Sequence, residues 1–236
     1  MSFKLHRLDA QYEALFLAPA LSLAGDVPRI IRGAYEAVTS RYPGIRTDTF
    51  RAVNSNVLAE LGIAISLLDK RLEITLRVDR LQVQGTYLRP AEVTFAQDIV
   101  LLMHAFIDGA LPETQGSYAN LKIASWLNVE GGKKAADNAL AAVAHPAKNI
   151  FDKKLVGASD LQHHAKFRLS NEAQGWHIMV TAEPSAIAEA DLYLFRDYAF
   201  TVTPEMPTTE ARMAFVQTSA LSIAEWLGIA PYDEGQ

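Results

Sequence analysis

A two-residue rhythm between positions 61 and 78 constrains this chain more than any other feature. Leu61, Ile63, Ile65 and Leu67 alternate with small residues, and Leu72, Ile74, Leu76 and Val78 alternate with Glu73, Thr75, Arg77 and Asp79. Successive side chains of a strand point to opposite faces, so this pattern buries one face of a hairpin and leaves the other in water. The intervening Leu68-Asp69-Lys70-Arg71 is short and polar enough for a tight turn. Alternation of this kind belongs to an antiparallel sheet, because parallel sheets are covered on both faces and read as continuous apolar runs. At Asp79-Arg80 the phase slips, since Leu81 and Val83 continue out of step, and a bulge or strand bend is expected there.

Elements of other periods flank the hairpin. Leu5 to Leu17 reads as a strand. Asp26 can cap a helix that carries Pro28 in its first turn, where a missing N–H costs nothing. Val27, Ile30, Ile31, Ala34, Val38 and Tyr42 then recur at helical spacing, and Pro43-Gly44 ends the run. A second helix is expected from Pro90 to Asp108, with Thr94 and Gln97 at capping-box spacing. Its apolar residues cover most of the circumference, which predicts burial on more than one side.

The same order of elements then returns. Leu111 to Ser117 is the best linker candidate. Tyr118 to Val129 reads as a strand, and Gly131-Gly132 opens an alanine-rich helix ending near Pro146, followed by a loop through Gly157. His163, Ala165, Phe167 and Leu169 alternate with polar residues, and Trp176, Ile178, Val180 and Ala182 are expected to pair with them so that His164 faces Thr181 and His177 faces Arg168. Leu192 to Val202 is apolar on both faces and so is expected to be central. Thr208 opens a last helix that stops at Gly228. The fold class that follows is α+β: antiparallel sheet with helices packed on one face, in two tandem similar halves, 1–112 and 116–236, able to form one compact domain. The offset between matching elements is roughly 105–115 residues.

Composition narrows the function classes. Half of the 236 residues are apolar and 21% are charged, enough for a real core and too apolar for disorder. The net charge of -5 comes without a basic run, so nucleic acid is not an expected partner. With no cysteine, disulfides, thiolate metal sites and cysteine nucleophiles are excluded. The N-terminus lacks the apolar core of a signal peptide, and the longest apolar stretch, Ile99 to Met103, is too short to span a bilayer. A soluble, cytoplasmic protein with no membrane partner is expected.

Motifs for catalysis are missing. Glu130-Gly131-Gly132-Lys133-Lys134 fails as a phosphate loop, because Leu127 stands where a glycine is needed and Lys134 where Ser or Thr is needed. There is no GxSxG, no HExxH and no GxGxxG. His163 and His164 are adjacent in a strand and point apart. His104 reads as a surface helix partner of Asp108. No cofactor and no metal are expected. Aromatic residues crowd one strand, and Trp176, Tyr193, Phe195 and Tyr198 are the candidates to line a ligand cleft. The leading expectation is a non-catalytic binding or assembly protein acting on a protein partner or as a homo-oligomer. The alternatives are binding of a small apolar or aromatic ligand between the halves, and a hydrolase using His177 or His164.

Overall fold

The computed structural model describes residues 2–111, 114, 116–144, 163–203 and 208–231. Pro112, Glu113 and Gln115 of the expected linker, the helix end at Pro146 and the loop through Gly157 lie outside them. The chain runs β1 (Ser2–Phe16), α1 (Leu21–Gly25), α2 (Val27–Arg41), β2 (Phe50–Val53), β3 (Gly62–Leu67), β4 (Leu72–Arg77), β5 (Arg80–Leu88) and α3 (Pro90–Ala110). It continues β6 (Gly116–Val129), α4 (Gly132–Ala144), β7 (Ala165–Asn171), β8 (Trp176–Pro184), β9 (Leu192–Thr201), α5 (Thr209–Trp226) and β10 (Ala230–Pro231).

All strands join one sheet in the order β2-β3-β4-β5-β1-β6-β9-β8-β7, antiparallel throughout, while the short β10 adds to β1 in parallel. The centre is the long β1–β6 pair, with Tyr12 opposite Leu121 and Ala14 opposite Ala119. The pleat gives the sheet two different faces. Along β4, Leu72, Ile74 and Leu76 are buried while Glu73 is exposed; in register with them lie Ile65 of β3 and Val83 of β5. This apolar face merges with Ile30 of α2, Ile99 of α3, Leu140 of α4 and Val216 of α5 into a single core.

Local chemistry explains the helix ends. Asp26 Oδ1 accepts the Arg29 N–H at 3.2 Å, as the sequence implies. For α3 the cap is not the expected Thr94–Gln97 pair; the Glu92 carboxylate accepts the Arg89 N–H at 2.9 Å instead. Pro90 fixes the helix start a turn earlier than that pair requires. By length and composition α3 could cross a membrane. Here its Ile99, Val100, Met103 and Ile107 are buried. Gly33 lets α2 approach it: a Cβ there would stand 2.7 Å from Phe106 Cε2.

Two further expectations need correction. At Asp79-Arg80 the strand does not bulge. It reverses, so that Leu76 faces Leu81 and Ile74 faces Val83. A tight reversal shifts the apolar phase by an odd number of residues, which resembles a bulge when read along one dimension. The β7–β8 register is also two residues from the expected one: Lys166 faces Thr181 and Ser170 faces His177. An even shift leaves every side chain on its expected face, so alternation alone does not detect it.

Candidate functional site

The central strands and the two long helices do not close completely on each other. Between them lies a cavity of about 200 Å³. Leu8, Tyr12 and Val83 line it from the first half of the sheet, and Leu121 and Ile123 from the second. Val93 and Val100 of α3 and Met213 and Val216 of α5 form its roof. Gln217 Nε2 donates to Gln97 Oε1 at 3.3 Å and ties α5 to α3 beside it. Helices α3 and α5 thus bridge the β1–β6 seam without filling the space above it, with small Ala96 and Ala220 among the facing residues. A cavity of about 150 Å³ lined by apolar side chains suffices to hold benzene.

Among the described residues one charged side chain lines this cavity. Arg196 sits on β9 in phase with Leu192, Leu194, Tyr198 and Phe200, and its register neighbours are Ile123 and Val180. It is only 7% exposed. Nη2 donates to Ser125 Oγ at 2.9 Å, while the buried Nε has no acceptor among the described residues. The signal is present in the sequence: a charged residue at the in-facing phase of an otherwise apolar alternation. Treating the strand as apolar on both faces hides it.

A second polar group lies at the cavity wall. The Tyr12 hydroxyl and His104 Nε2 are 2.7 Å apart, with the rings edge to face. His104 is therefore not the surface partner of Asp108 that its helix position suggested. Burial, reinforced by the nearby Arg212 cation, lowers the imidazole to about 4. Burial raises the Tyr12 phenol to about 12. Both groups stay neutral between those values, which suits a structural hydrogen bond.

The pleat divides the four aromatic residues expected in one cleft. Tyr198 is fully buried on the helix side, where Ser219 Oγ donates to its hydroxyl at 3.2 Å. Trp176 is on the same side, 4.7 Å from the Phe215 ring, in an apolar depression under α5 that also involves Trp226. Tyr193 and Phe195 occupy the other phase of β9 and face the open side of the sheet. There Tyr193 packs 5.1 Å from Trp126, and the Arg7 guanidinium lies between Trp126 at 4.1 Å and Tyr87 at 3.4 Å. Asp9 holds Arg7 in place at 2.8 Å.

Nor do the described histidines around β7 and β8 converge. His164 Nδ1 lies 3.1 Å from Glu183 in an exposed pair. His177 is six residues along β8, about 20 Å at the usual rise, beside Arg168 and Ser170. His163 pairs separately with Asp137 at 3.0 Å. Among the described residues no group of three or more His, Asp or Glu side chains is placed to hold a metal ion. Comparison with family models, with curated proteins and with solved structures returns no match.

Proposed function

We propose that this chain is a non-catalytic binding protein that holds a small, largely apolar ligand between its halves. The observation that carries the reading is the cavity of about 200 Å³ between the central strands and helices α3 and α5. Apolar side chains are normally packed to crystal density, and those that line an open hollow lack partner atoms on the side of the hollow. Such a space is readily explained as one that a ligand fills. The two halves are read as copies of one α+β unit. Strand, helix, antiparallel strands and long helix occur in both, and outward from β1–β6 the strands follow as β5, β4, β3 and as β9, β8, β7.

The test is saturable binding of a neutral apolar probe, 1-octanol, by isothermal titration, with a matching rise in melting temperature from preferential binding to the folded state. Ala220→Trp, which fills the cavity from α5, is expected to abolish both effects. Absence of binding by the wild-type chain overturns the reading.

Contact with a protein partner or a second copy is the second reading, and one observation favours it. Arg7 is held between Tyr87 and Trp126 on the sheet face that the helices leave uncovered, and Tyr87 is 60% exposed. Arginine and large aromatic residues dominate binding hot spots. Sedimentation of the wild type and of Tyr87→Ala across concentrations tests self-association. A strict monomer in both removes the second-copy form of this reading.

A further inference from the structure

We infer that the ligand of the central cavity is an amphiphilic monoanion, with an apolar body and one carboxylate head, and that Arg196 is the residue that holds the head. The inference rests on reading the cavity as a ligand site and adds the chemistry of its occupant. Four observations lead to it. Arg196 is 93% removed from solvent, the complement of its 7% exposure. It lines the cavity, while its register neighbours Ile123 and Val180 are apolar. Of the five N–H donors of a guanidinium, the described residues pair one, through Ser125 Oγ, and leave the buried Nε without an acceptor. No ion pair of Arg196 occurs among the described residues.

A buried cation without a counter-charge is costly to keep, and an apolar residue of similar volume is often tolerated as well or better in its place. A carboxylate accepts two parallel N–H bonds from a guanidinium, so a bound carboxylate would supply both the missing acceptor and the missing charge. The remaining walls are almost entirely apolar, which suits an aliphatic or aromatic body. The polar exceptions near the helices are Gln97 and Gln217, which bond to each other, and the Tyr12 hydroxyl, which pairs with His104. One guanidinium balances one negative charge, so a dianionic phosphate ester is disfavoured.

The test compares octanoate with 1-octanol on the intact chain by isothermal titration near neutral pH, together with the Arg Nε–H resonances in nitrogen-15 spectra. Octanoate is expected to bind at least about tenfold more tightly than 1-octanol, and to shift one Arg Nε–H signal that 1-octanol leaves in place. Arg196→Met is expected to bring the ratio to about one, remove that signal, and leave the melting temperature of the ligand-free protein equal or higher. Arg196→Lys keeps the charge without the fork and is expected to retain part of the preference.

Equal affinity of the wild type for the two probes overturns the role of Arg196 while the cavity reading stands. Failure of both to bind overturns the cavity reading and this inference with it. An octanoate preference that survives in Arg196→Met also refutes the assignment. If that variant does not fold, the wild-type Nε–H shift decides.

Discussion

The hydroxyl of Tyr12 and Nε2 of His104 meet at 2.7 Å although 92 positions separate them in sequence. The contact joins the central strand β1 to the cavity's roof helix α3, in surroundings that favour the neutral imidazole. Glu210, Asp108 and Arg212 supply the surrounding charge; Arg212 adds to burial in lowering His104, and Glu210 opposes it. In the unfolded chain the imidazole takes a proton near pH 6.5, whereas in the folded chain it does so only near pH 4. The unfolded state therefore binds more protons between those values, and stability falls as pH drops through that window. The loss is at most about 3.5 kcal/mol, because each tenfold difference in proton affinity between the two states is worth about 1.4 kcal/mol. Urea unfolding at pH 7.5 and 4.5 measures it, and His104→Gln is expected to flatten the difference.

Glu92 behaves in the usual carboxylate direction. Hydrogen bonds from Arg71, one of them 2.6 Å, and from the Arg89 N–H pull its carboxyl down to about 2. Its stabilising effect is fully present above the unfolded value near 4.5 and disappears as pH falls toward 2. Glu92→Gln is expected to lower the melting temperature at pH 7. The gap from wild type should narrow at pH 3, which a pair of calorimetric scans would show.

Gly62 is required where β3 lies against β4. A Cβ at that position would stand 2.0 Å from the carbonyl oxygen of Leu76, a backbone atom that cannot turn aside. Gly62→Ala is expected to cost at least about 2 kcal/mol in denaturant unfolding, since the pairing itself must shift.

The β3–β4 turn carries strain of its own. Leu68, Asp69 and Lys70 all have positive φ, at 52, 53 and 68°. An L residue in the left-handed region costs roughly 1–2 kcal/mol, while glycine elsewhere loses roughly 0.5–1 kcal/mol to its larger unfolded freedom. Lys70→Gly is therefore expected to stabilise the protein by about 0.5–1 kcal/mol in the same unfolding experiment.

Much of the architecture was legible because it rests on local period. The alternation at 61–67 and 72–78 marked β3 and β4 as strands and matched the one buried face of β4, whereas in β3 Ala64 on the opposite phase is buried as well, and Asp26-Val27-Pro28 gave the start of α2. The candidate site was legible only in fragments. Tyr193 and Tyr198 stand five positions apart and so fall on opposite faces of β9, although nearness in sequence groups them. Arg196 stands in the in-facing phase and is readable by the same rule that identifies its apolar neighbours. His104 gave no local sign of its partner, because nothing in a helical pattern names a tyrosine on a distant strand.

By itself the sequence determined most of the longer strands and helices and which side of them avoids water, since those follow from the spacing of apolar side chains along one chain; the short α1, β2 and β10 and the separate strand β5 were not legible in it. The tertiary structure alone decided that β1 pairs with β6, that β4 reverses into β5, and that α3 and α5 leave a space over the seam. These are relations between segments far apart in sequence, fixed by how volumes pack. The space left above Arg196 is a property of that packing.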